Sequence, residues 1–145
     1  QKNKKTVLKE EGNSTSNIES KDDIRTQNIK KIVYVDDEKS LLKMYTTFIQ
    51  RQGYTVESFN NGAEAVEYIS NHLNEVGLLL LDWMMPEMSG EEVLAGILEQ
   101  NISIPIIILS GKKIDIDHMP EVKSVLEKPV NPEKMAEVIS QSILK

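Results

Sequence analysis

Four apolar runs in this sequence lead into residues that can do chemistry. Residues 32–35 are followed by Asp36-Asp37, residues 76–81 by Asp82, residues 104–109 by Ser110, and residues 122–126 by Lys128 and Pro129. Asp82 is the most demanding of these, because four consecutive leucines, residues 78–81, run straight into it. An ionised carboxylate at the edge of a core is costly unless something offsets it. Three carboxylates gathered in one place repel each other unless a cation joins them. Oxygen-only ligands suit a hard ion such as Mg²⁺, which keeps waters and leaves room for a phosphate oxygen. A lysine adds a point charge for an anionic oxygen, and a serine hydroxyl can donate to another. The set fits phosphoryl transfer to a carboxylate, where positioning and charge neutralisation supply most of the catalysis.

These residues need a frame that brings them to one edge, and the apolar pattern provides it. After the first run, Leu41, Leu42, Tyr45, Phe48 and Ile49 recur at helical spacing until Gly53. Residues 54–59 alternate like a strand. Asn61 stands three residues before Glu64, which predicts a helix start, and Val66, Ile69 and Leu73 continue one face. Residues 90–98 read as a helix. Asn131-Pro132-Glu133 opens another, with Asn as cap and Pro in the first turn; Met135, Val138, Ile139 and Ile143 line its apolar face. Five strands thus alternate with helices. The third and fourth strands are apolar nearly throughout, as central strands of a parallel sheet must be. The pattern predicts a doubly wound α/β domain, whose ligands sit at the carboxyl ends of the strands.

Each site residue also has a simpler reading. Asp37 can cap the first helix. Ser110-Gly111 can be an ordinary turn, and Lys128-Pro129 a solvated lysine in a loop. Asp82 has the poorest alternative, because no turn chemistry accounts for it. His72, late in a helix, reads as solvated and His118 as part of a loop; neither has a context that suggests a metal or phosphohistidine site.

Composition narrows the classes. The chain has 145 residues and no cysteine, which excludes disulfides, thiolate zinc sites and a thiol nucleophile. The longest apolar runs are far too short to span a bilayer. The first thirty residues hold seven basic and five acidic side chains. The remaining ten basic and eighteen acidic residues give the rest a net charge of −8. An acidic body argues against phosphate-backbone binding, so no nucleic-acid partner is expected. Residues 1–29 mix Lys, Glu, Asn and Ser and read as a flexible tail or linker before a domain at 30–145. The sequence does not begin with Met, so a fragment of a longer chain is expected.

The motifs "VYVDDE", "LLLLDWMMPEMSG", "PIIILSG" and "EKP" occur in that order at strand ends. Together they resemble the receiver domain of two-component response regulators, over about Lys31 to Leu144. The resemblance implies a flavodoxin-like fold with strand order 2-1-3-4-5 and helices on both faces. It implies that Asp82 is the phosphoacceptor and that Asp36 and Asp37 hold Mg²⁺ with the backbone carbonyl of Met84. It places Ser110 and Lys128 against the phosphoryl group, and it has Pro86 and Gly90 shape the loop after Asp82. The implied partners are a histidine kinase, with its phosphohistidine as donor, and a histidine phosphotransfer protein. The expected setting is cytoplasmic, with no direct membrane contact by the domain. The polar tail resembles the linker of a hybrid histidine kinase, and a stand-alone response regulator is the close alternative.

The sequence also departs from the family pattern. Val125 stands three residues before Lys128, where many receivers carry an aromatic. The segment "GKKIDIDHMPEVKS" makes a poor helix, so the fourth helix is expected to be short or irregular, and signalling through that face to an attached transcription effector is disfavoured. Met84 and Lys112, each two residues beyond a site residue, carry no group suited to orient water, which predicts slow self-dephosphorylation. A pseudo-receiver that only binds is disfavoured because each expected site residue is present. A haloacid-dehalogenase-type hydrolase would want an aspartate where Met84 stands.

Overall fold

The computed structural model describes residues 30–145; the expected tail at 1–29 lies outside the described residues. Five strands form one parallel sheet: β1 (Lys31–Val35), β2 (Val56–Phe59), β3 (Val76–Asp82), β4 (Ile106–Ser110) and β5 (Val122–Glu127). Their order is β2-β1-β3-β4-β5, as the motifs implied. Among the described residues four helices connect or flank them: α1 (Lys39–Arg51), α2 (Gly62–Asn71), α3 (Gly90–Glu99) and α4 (Pro132–Ser142).

Strand alternation sends successive side chains to opposite faces, and each face meets its own helices. Val33, Val35, Leu79, Leu81, Ile106 and Ile108 pack with α2 and α3 through Val66, Ile69, Val93 and Ile97. Ile32, Tyr34, Leu78, Leu80, Ile107 and Leu109 pack with α1 and α4 through Tyr45, Ile49, Met135 and Ile139. The four leucines of β3 therefore divide two and two between both layers. All four are fully buried, and cutting any one to Ala would cost about 2–5 kcal/mol. That double anchorage is what makes β3 a rigid support for the residue at its end.

Helix starts follow local chemistry. The Asn61 side chain accepts from the Glu64 N–H, as the spacing predicted. Asn131 accepts from the N–H groups of Glu133 and Lys134. At α3 a full capping box joins Ser89 and Glu92, a pattern visible in "SGEE" that the reading of the helix from Gly90 passed over.

The segment between β4 and β5, where a short or irregular fourth helix was expected, takes an irregular course and contains no helix. Residues 111–121 run as an irregular strap with a turn near its end, where the Met119 N–H donates to the Ile116 carbonyl. The reason is periodicity. Ile114 and Ile116 are half-buried against the α2/α3 layer and alternate with Asp115 and Asp117. That is a spacing of two, which suits extended chain rather than a helix. Val125, on β5, packs against the same layer, half-buried.

Candidate functional site at the carboxyl edge of the sheet

The ladder itself gathers the site. Asp82 pairs in register with Leu109, and Ser110 with Glu127. The Lys128 N–H then donates to the Ser110 carbonyl at 2.8 Å, and the Trp83 N–H to the Leu109 carbonyl at 2.9 Å. On the other side the Asp36 N–H donates to the Phe59 carbonyl. The ends of β1, β3, β4 and β5 thus meet at one place.

Among the described residues, the buried polar or charged side chains are three: Asp36, Asp82 and Ser110. All three were singled out by sequence. Asp82 is the last residue of β3 and is buried with the rest of the strand, rather than standing just beyond the core. Asp36, Asp37 and Asp82 each offer a carboxylate oxygen, and these oxygens lie within 4.8 Å of one another. Asp36 and Asp82 are buried and Asp37 is exposed. Lys128, less than a fifth exposed, places Nζ 3.2 Å from Asp36 Oδ2 and 3.2 Å from Asp82 Oδ1. A solvated loop lysine is therefore excluded. Asp37 does not cap α1 either. The cap position is Glu38, which makes no side-chain cap bond, and its N–H donates to Asp36 Oδ1 at 2.9 Å.

Three carboxylates face one ammonium, and the electrostatics show the imbalance. Burial first, and then the Asp36 charge, push the Asp82 carboxyl up to about 7 against the pull of Lys128. Burial draws the Lys128 ammonium down, but Asp36 and Asp82 outweigh it and hold it above its ordinary value. A divalent cation among the three carboxylates would remove the deficit, and the all-oxygen donor set fits Mg²⁺. The Met84 N–H approaches Asp82 Oδ1 at 3.4 Å while its side chain is well exposed. Ser110 Oγ accepts from the Lys112 N–H at 3.2 Å, so the turn reading of Ser110 holds locally. Its hydroxyl proton is left for a second partner.

Two residues of this region were missed by sequence. The Tyr34 hydroxyl donates to Asp36 Oδ2 at 3.0 Å from a fully buried ring. Burial, then the Asp36 charge, hold this phenol well above its ordinary pKa, so it stays a donor. Tyr45 accepts from the Val130 N–H at 3.1 Å, just past Lys128. The spacing of Tyr34 and Asp36, two apart across the end of β1, was the available signal.

Gly90 closes the loop after Asp82. Its N–H donates to the Trp83 carbonyl at 3.0 Å. A Cβ there would sit 2.7 Å from Trp83 Cα and 2.8 Å from the Asp82 carbonyl oxygen. Only glycine permits this approach.

A parallel 2-1-3-4-5 sheet with an acidic cluster and a partly buried lysine at its carboxyl edge defines a receiver domain of two-component signalling. The chain belongs to the response regulator receiver domain family, whose profile matches residues 32–140. It is 34% identical over 117 residues to the regulatory protein VanRc of Enterococcus gallinarum, covering 77% of this chain and 49% of that one. It is 28% identical over 108 residues to the response regulator SaeR of Staphylococcus aureus, covering 72% and 46%. The chain thus spans about half the length of these curated relatives. Among solved structures it is similar to the chemotaxis protein CheY4 of Vibrio cholerae, at 26% identity and TM-score 0.68, covering 79% of this chain and 98% of that one. A second is the response regulator TrrA of Thermotoga maritima in complex with Mg²⁺ and BeF, at 25% identity and TM-score 0.68, covering 78% and 98%.

Proposed function

We propose that this domain accepts a phosphoryl group from the phosphohistidine of a histidine kinase onto Asp82, with Mg²⁺. The observation that carries the reading is Lys128 held 3.2 Å from both Asp36 and Asp82, beside a carboxylate cluster with no second cation of its own among the described residues. Asp36, Asp37 and Asp82 would hold the ion, with the Met84 carbonyl as a further ligand. When bound, the ion supplies positive charge that favours ionised Asp82 and neutralises the incoming phosphoryl oxygens. An Asp82 carboxylate oxygen attacks phosphorus, and the P–N bond breaks as the O–P bond forms. The imidazole leaves with the electron pair of that bond. Lys128 then faces the phosphoryl oxygens as a point charge, and the Ser110 hydroxyl donates to one of them.

The acidic body supports proteins as partners: the kinase, and a histidine phosphotransfer protein as onward acceptor. As parent chain we propose a hybrid histidine kinase, on the polar character of residues 1–29; the stand-alone alternative would share the chemistry of Asp82. The proposed setting is cytoplasmic. Among the described residues no helix is long and apolar enough to cross a membrane. The reading is tested by mixing the domain with an autophosphorylated histidine kinase and following radiolabel. Label moving to the wild type and not to Asp82→Asn is expected. Label that never leaves the kinases of the source organism would contradict it.

A further inference from the structure

Asp36 is a fully buried carboxylate with three donors. Oδ1 accepts from the Glu38 N–H at 2.9 Å. Oδ2 is shared by the Tyr34 hydroxyl at 3.0 Å and by Lys128 Nζ at 3.2 Å. Lys128 is divided in turn, since Asp82 Oδ1 is equally close. A phosphoryl group on Asp82 brings new anionic oxygens that compete for the same ammonium. Any shift of Lys128 toward them leaves Tyr34 as the remaining hydrogen-bond donor to Asp36 Oδ2 among the described residues.

The phenol is well placed for that task. Its ring is fully buried and meets Tyr45 edge to face, with centroids 6.4 Å apart. Tyr45 is fixed in its turn by the Val130 N–H, two residues beyond Lys128. Tyr34 therefore has little freedom to leave Asp36. A Val or Ile at this position would fill the strand but supply no donor.

We infer that Tyr34 is a positioning residue for the divalent-cation site: its hydroxyl fixes the Asp36 carboxylate for the ion and keeps Oδ2 satisfied when Lys128 turns toward the phosphoryl group. The inference rests on the phosphoacceptor reading of Asp82. Carboxylates that bind metals depend on such outer hydrogen bonds for orientation, and losing one weakens the metal site.

The test uses Tyr34→Phe, which keeps the ring and removes the hydroxyl. Mg²⁺ alone is titrated into the full chain and followed by the fluorescence of Trp83, the single tryptophan, next to Asp82. Phosphoryl uptake from acetyl phosphate is then measured by intact mass at low and at saturating Mg²⁺. The expected result is a Mg²⁺ affinity weakened roughly tenfold, with uptake slowed at low Mg²⁺ and restored at saturation. A purely structural role for Tyr34 predicts an unchanged affinity, or uptake lowered by the same factor at every Mg²⁺ concentration; either overturns the inference. In an Asp36→Asn background, Tyr34→Phe should add no further loss, and an equal loss in both backgrounds also overturns it. A wild type that neither responds to Mg²⁺ nor takes up phosphoryl overturns the phosphoacceptor reading as well. A wild type that does both, beside an indistinguishable Tyr34→Phe, overturns only the role of Tyr34.

Discussion

The ammonium of Lys128 lies 3.2 Å from Asp82 Oδ1, in a place where both side chains are largely withdrawn from water. The same ammonium lies 3.2 Å from Asp36 Oδ2. One cation thus holds together two buried carboxylates, one just past β1 and one at the end of β3. Lys128→Met removes it and strands the charges. The expected cost in Mg²⁺-free buffer at neutral pH is about 3 kcal/mol, the low end for breaking a buried pair, because Asp82 can protonate in response. Urea denaturation measures it.

Asp82 gives a pH dependence with a definite sign. Its folded carboxyl titrates near 7, above the ordinary aspartate value of 3.8. The unfolded chain therefore releases this proton first, and stability is lost as pH rises from about 4 through 7. Asp82→Asn cannot ionise. Without Mg²⁺ its melting temperature should exceed that of the wild type at pH 8, with the difference vanishing near pH 4. Mg²⁺ should narrow the gap at pH 8 by stabilising the wild type. Thermal melts at the two pH values, with and without the ion, check this.

Gly90→Ala should destabilise the domain. The added Cβ meets the Trp83 Cα and the Trp83 ring atom Cε3, each at 2.7 Å, and the Asp82 carbonyl oxygen at 2.8 Å, so movement of a side chain cannot relieve it. Overpacking of this kind costs about 1–3 kcal/mol. The strain falls on the peptide that follows Asp82, so phosphoryl uptake should slow along with the loss in denaturant midpoint.

The lifetime of the phosphorylated domain should be long. Met84 is well exposed beside Asp82 and offers no carboxylate or amide to orient water. Met84→Asn should shorten the half-life about tenfold, short of what a fully positioned base supplies. Its exposure leaves the fold unaffected. Intact mass followed over time, after removal of the phosphodonor, measures both proteins. A wild-type half-life of seconds would count against the prediction.

Legibility in the sequence followed the physics of each residue. The leucines before Asp82 announced a central parallel strand because burial on both faces leaves no room for alternation. Asp36, Ser110 and Lys128 could be placed because parallel topology sends every strand end to one edge. Tyr34 escaped notice because its ring reads as core, although its spacing of two from Asp36 sends both side chains to one face. The strap at 111–121 was half legible. Pro120 and the two Ile-Asp pairs of "GKKIDIDHMPEVKS" speak against a regular helix, while the extended chain that their spacing of two specifies becomes plain only from the burial of Ile114 and Ile116. Asp37 could be read as a helix cap from the sequence, and Glu38 at the cap position removes that reading.

The central claim is that Asp82 is a nucleophile toward phosphorus. Intact mass after incubation with Mg²⁺ and acetyl phosphate tests it most directly. The account predicts one added phosphoryl group on the wild type and none on Asp82→Asn. A wild type whose mass does not change, or an Asp82→Asn protein that gains the same group, would contradict it.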